Sequence, residues 1–150
     1  MSNTTGINNT ANGALALYAN TQGDSNSAFG RDALASNITG GYNTAMGRWA
    51  LLDHETGDFN TAIGAEALSN DIDGLWNTAI GYRALWTNTS GRFNTAVGFG
   101  AGADITGDSN VCIGSGVAGR LASTTGPISA ILIRLHRLLA QGLTITLQSD

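Results

Sequence analysis

The apolar and polar positions of this chain recur every 17 residues in the pattern Gly-x-x-Asn-Thr-Ala-(apolar)-Gly-x-x-Ala-Leu. The opening glycines are Gly6, Gly23, Gly40, Gly57, Gly74 and Gly91, and a seventh copy starts one residue early at Gly107. Counting slots from each opening glycine, slot 6 is alanine in the first six copies. Slot 7 is a larger apolar residue (Phe29, Met46, Ile63, Ile80, Val97, Ile113), with Asn12 in its place in the first copy. Slot 12 is leucine at Leu17, Leu34, Leu51, Leu68 and Leu85. A fixed short period of this kind specifies stacked coils, each unable to bury its own apolar groups.

Within a coil, alternation predicts a short strand over Asn77 to Gly81, with Thr78 and Ile80 on one face and Asn77 and Ala79 on the other. A second strand is predicted around Ala84-Leu85-Trp86, with glycine at both corners suited to positive φ. The fold class is therefore all-β: a parallel β-solenoid, or β-roll, of about seven 17-residue coils, roughly 30 Å long at a strand spacing of about 4.8 Å. Residues 1–5 are a lead-in, 6–122 the repeat solenoid, and 123–150 a C-terminal cap or assembly segment, helical or strand. The polar Asn12 suits a terminal capping coil.

Equivalent residues line up along such a rod. One rank runs Asn9, Asn26, Asn43, Asn60, Asn77, Asn94, Asn110, and its amides are expected to hydrogen-bond along the axis. Beside it runs Thr10, Ser27, Thr44, Thr61, Thr78, Thr95. Only an alanine, one larger apolar residue and an Ala-Leu pair are constant in each coil, a thin core for a lone rod. That thinness predicts several rods packed together, most simply about a threefold axis.

Composition narrows the partners. Only 12% of residues are charged, the net charge is −4, and all seven basic residues are arginine. No basic stripe exists to neutralise phosphates, which argues against nucleic acid. Cys112 is the only cysteine and is read as a buried, inert thiol, with no intrachain disulfide. No secretory signal and no apolar run of about 18 residues is visible, so a membrane span is not expected.

The repeats resemble the heads of trimeric autotransporter adhesins. They resemble still more closely the Gly-x-x-Asn-Thr-Ala-Ile-Gly-x-x-Ala-Leu arrays of phage tail-fibre and bacterial surface proteins. Gly57-Asp-Phe-Asn-Thr-Ala-Ile-Gly-Ala-Glu-Ala-Leu68 and Gly74 to Leu85 carry the likeness, which covers residues 6 to about 119. The resemblance implies a trimeric, fibrous, outward-facing protein used in attachment, located outside the cell, on its surface or on a virion. The sequence departs from that pattern after Arg120. Ile128 to Gln141 instead reads as an amphipathic helix stopped by Gly142, and Leu143 to Leu147 alternates as a strand. This tail is expected to cover the last coil, to trimerise, or to meet the next subunit.

No catalytic constellation is present, and the chain is read as a non-enzyme without cofactor or metal. His54 is placed in a turn and His136 in the tail, each without a ligand-spaced neighbour. Asp24, Asp58 and Asp108 share a slot, but the glycine-rich calcium-roll pattern is missing. Asn3, Asn8, Asn37 and Asn88 open glycosylation sequons. The candidate binding residues are corner aromatics: Trp49, Trp76, Tyr82 and Trp86, in a set that includes Tyr42, Phe59, Phe93 and Phe99. Such rings stack on sugars or partners, or fill the rim of the coil. The expected function is therefore structural attachment through self-association as a homotrimer or filament, with a cell-surface or glycan receptor as further partner. The alternatives are an ice-binding solenoid using the threonine rank and a glycan-binding fibre using the corner aromatics.

Overall fold

The computed structural model describes residues 2–116. It contains seven parallel strands, β1 (Thr10–Asn12), β2 (Ser27–Phe29), β3 (Thr44–Met46), β4 (Thr61–Ile63), β5 (Thr78–Ile80), β6 (Thr95–Val97) and β7 (Val111–Ile113). They form one sheet in chain order, and each strand pairs only with its sequence neighbours. Pairing is in register, so that Thr61 lies over Thr78, Ala62 over Ala79 and Ile63 over Ile80. The fold is an all-β parallel solenoid, as the period requires. The cap expected over residues 123–150 lies outside the described residues.

The strand face follows the predicted alternation. Ala28, Ala45, Ala62, Ala79 and Ala96 are buried, and the threonines and slot-7 residues point outward. This corrects the expected core. Ile63 and Ile80 are each 37% exposed and contribute to the surface, not the interior. The interior is built from the strand alanines, the Ala-Leu pairs and Ile105. Leu17, Leu34, Leu51, Leu68 and Leu85 are its largest apolar groups. Each such leucine contributes about 1.5–3 kcal/mol by leaving water.

The second predicted strand does not form. Residues around Ala84-Leu85 are turns, with Arg83 at φ 55° and Leu85 at φ 52°. Each of the first five coils carries three such non-glycine residues, for example Phe59, Glu66 and Leu68, and the sixth has Phe93 with Gly100 and Gly102. Each non-glycine residue so placed costs on the order of 1–2 kcal/mol relative to the right-handed region. Hydrogen bonding to the adjacent coil offsets this cost. The N–H of Leu85 donates to the Ala101 carbonyl at 2.9 Å, and that of Thr87 to Ala103 at 3.0 Å. The coils therefore remain laddered on this side without β geometry.

The two glycine corners differ, which also corrects the sequence expectation. Slot-8 glycines such as Gly81 (φ 131°) occupy conformations open to glycine. The slot-1 glycines do not have positive φ; they are needed for close approach. A Cβ on Gly57 would stand 2.0 Å from the Gly74 carbonyl oxygen in the next coil.

The asparagine rank is a buried ladder, though mostly to backbone. The Asn60 Oδ1 accepts the backbone N–H of Asn77 at 3.0 Å, and the Asn60 Nδ2 donates to the Gly74 carbonyl at 2.7 Å. Direct amide-to-amide bonds occur in places, as from Asn77 Nδ2 to Asn60 Oδ1 at 3.1 Å. Slot 3 has positive φ, which carries the backbone out of strand geometry just before each asparagine. The amide then supplies the contacts that a strand ladder would have made.

Candidate functional site

Three surfaces distinguish this solenoid, and each comes from a few slots of the repeat. The first is the outer face of the sheet. Phe29, Met46, Ile63, Ile80, Val97 and Ile113 form an unbroken apolar rank that faces outward, beside the half-buried hydroxyls of Thr44, Thr61, Thr78 and Thr95. No charged residue occupies any of the seven strands. Only one threonine per coil lies on this face, with a larger apolar group as its outward neighbour.

The second surface is a ladder of aromatic rings at slot 3. Tyr42, Phe59, Trp76 and Phe93 stack with centroids 4.9, 5.8 and 5.0 Å apart and planes within 8° of parallel. The coil repeat sets the spacing, and the shared positive φ aims every ring the same way. The faces of Phe59 and Trp76 are covered by neighbouring rings, so solvent meets their edges. Only the outer faces of Tyr42 and Phe93 are free of a partner ring; beyond them slot 3 holds Ser25 and Ser109. Phe59 and Phe93 occupy both faces of the Trp76 ring.

The third surface lies across the other corner. Tyr82 stacks on Phe99 at 5.2 Å, and the Arg83 guanidinium lies 5.1 Å from the Tyr82 ring and 5.0 Å from the Trp86 ring. Arg83 is also bonded to Glu66 at 2.6 Å. Trp49 stands apart, with Arg48 over its ring at 3.6 Å and its Nε1 donating to Asp32 Oδ2 at 3.0 Å. The four sequence candidates therefore separate. Tyr82 and Trp86 share Arg83, Trp76 belongs to the slot-3 ladder, and Trp49 forms its own cation-π contact.

Other candidates acquire structural roles. Asp24, Asp58 and Asp108 each accept a backbone N–H from the preceding coil, at Ile7, Gly41 and Arg92, all at 2.7 Å. Two of the four sequons, at Asn37 and Asn88, are fully buried, with their Nδ2 groups donating inside the stack. Burial raises the pKa of the Cys112 thiol, in keeping with an inert cysteine.

Sequence reading missed a buried polar ladder at slot 15, made of Asn20, Asn37, His54, Asp71 and Asn88. His54, expected in a turn, has no exposed surface. Its Nδ1 lies 2.7 Å from Asp71 Oδ2 and its Nε2 lies 2.7 Å from the Gly57 carbonyl. The signal was available: these five residues are spaced by 17 and all are able to hydrogen-bond.

Compared with family models, curated proteins and solved structures, the chain gives no match. The fold and its surfaces define it as a parallel β-solenoid repeat protein.

Proposed function

We propose that this chain is a non-enzymatic structural and attachment protein. Its solenoids associate side by side, as a homotrimer or within a filament of the adhesin, tail-fibre or extracellular type, on a cell surface, on a virion or outside the cell. The observation that carries this reading is the outward apolar rank from Phe29 to Ile113. It runs through six of the seven described strands, β2 to β7, without a charged interruption, where a solitary rod in water would carry polar residues on its outer sheet face. An in-register sheet also repeats the same surface every coil, so a second copy meets it with matched spacing.

Mass in solution tests the proposal. The intact chain should scatter light as a trimer or a larger assembly. Ile63→Lys combined with Ile80→Lys should lower the mass toward that of one chain while leaving the β-sheet circular dichroism in place. A wild-type chain that is a stable monomer at micromolar concentration would sink the proposal.

A further inference from the structure

The slot-15 ladder has a direction, and His54 reverses it. Asn37 Nδ2 donates backward to Asn20 Oδ1 at 2.7 Å, and Asn88 Nδ2 donates backward to Asp71 Oδ1 at 2.7 Å. His54 instead faces forward to Asp71, with its second ring nitrogen on the Gly57 carbonyl. The cost of the reversal is visible on Asn37, whose buried Oδ1 has no donor. The Oδ1 of Asn88 is also without one, since Ile105 follows in the next coil and brings no polar group.

Both nitrogens of His54 therefore face acceptors, and neither can be left bare without opposing two lone pairs in a dry interior. Nε2 must carry a proton for Gly57. A second proton must lie between Nδ1 and Asp71 Oδ2, on whichever of the two atoms. His54 and Asp71 are both fully buried, so water cannot replace the missing proton. The surrounding groups are mostly neutral: Asn37, Asn88 and the Gly57 carbonyl. Among the charged ones, Asp73 acts on Asp71, and Asp53 and Glu55 flank His54 with exposed side chains.

We propose that His54 and Asp71 form a one-proton lock at the junction of the third and fourth coils, which holds in mildly acidic to neutral solution and weakens as pH rises. The sign follows from proton counting. An unfolded imidazole loses its proton near pH 6.5, on model values of about 6.5 for histidine and 3.9 for aspartate. Above that pH the unfolded chain has lost the shared proton, whereas the folded pair holds it, so folding takes up a proton and stability falls with pH. Between about pH 4 and 6.5 both states hold one, and stability is flat. The pKa of Asp71 is raised, chiefly by desolvation on burial and despite its bonds to His54 and Asn88. The proton that a raised Asp71 retains is the one it shares with His54, so this shift has the same sign and adds no second proton.

The test is equilibrium unfolding of the full chain at fixed protein concentration from pH 5 to 9, beside the double variant His54→Asn with Asp71→Asn. Two asparagines would let every amide donate backward and would give Asn37 Oδ1 its donor. Relative to the variant, the wild-type unfolding constant should rise by up to tenfold per pH unit above about pH 6.5. Parallel wild-type and variant curves over the whole range would overturn the lock. Should the variant fail to fold, ¹⁵N imidazole shifts of the full chain carrying only His136→Gln decide the matter. Wherever the shared proton sits, the His54 shifts should stay constant from about pH 5 to above about 6.5 while the chain is folded; a change centred near 6.5 overturns the proposal.

Discussion

The rings of Trp76 and Phe93 lie 5.0 Å apart and 3° from parallel, although each residue sits at positive φ (54° and 58°). The stack and the backbone conformation oppose each other energetically. Left-handed geometry disfavours any residue with a Cβ by about 1–2 kcal/mol, and stacking contributes about 0.5–1.5 kcal/mol beyond burial.

Substitution separates these two effects. Trp76→Ala removes both stacking contacts and keeps the conformational cost, so it should destabilise by about 2 kcal/mol or more. Trp76→Gly removes the same contacts but relieves the backbone, and should be roughly 1 kcal/mol more stable than the alanine variant. Denaturation midpoints of the two variants give the comparison; a glycine variant less stable than the alanine one would contradict the positive φ.

The corner glycines should divide sharply. A Cβ on Gly81 would stand 2.3 Å from the Gly98 carbonyl oxygen, at a φ of 131°. Gly81→Ala should therefore cost more than about 4 kcal/mol or abolish folding. At Gly107 an added Cβ meets nothing within 4 Å, and φ is not positive. Gly107→Ala should stay within about 0.5 kcal/mol of wild type, as surface substitutions usually do. Thermal melts of both proteins, followed by circular dichroism, check the contrast.

The asparagine ladder predicts a large loss from a small change. Asn60→Ala leaves the Asn77 N–H and the Gly74 carbonyl buried without partners. At about 1–3 kcal/mol for each unsatisfied group, the loss should reach roughly 2–6 kcal/mol. Replacing the exposed Thr89 by alanine in the same assay should change little.

Cys112 is 3% exposed, and burial raises its pKa. Thiolate is the reactive form, so a neutral-pH thiol reagent should modify it far more slowly in the folded chain than in denaturant. Labelling kinetics with and without denaturant measure the ratio. Equal rates would mean that the last described coil is open.

The period made the solenoid legible because seven in-register copies admit one stacking. The inward alanine and outward threonine followed from strand alternation. Three features were not legible, each for a physical reason. The Ala84-Leu85 segment has strand-like residues, but its left-handed dihedrals are set by tertiary packing, which overrides propensity. Ile63 and Ile80 are hydrophobic enough for a core, yet the alternation that buries Ala62 and Ala79 obliges them to face out. His54 and Asp71 look like ordinary turn residues until the register is extended past the conserved half of the repeat pattern into its variable slots. Of the aromatic candidates, position alone was readable. The stacking of Trp76 between Phe59 and Phe93 depends on the backbone angle at slot 3.

The sixth coil, residues 91–106, is one residue shorter than the others, yet Thr95 still pairs with Val111 and Ala96 with Cys112. The missing residue is taken up between Ala101-Gly102 and the next opening glycine, Gly107, where Ile105 fills the interior. That corner accepts a change of length without shifting the sheet by one position. For an engineer it is the place to splice in a loop or a short peptide, displayed at intervals fixed by the coil repeat.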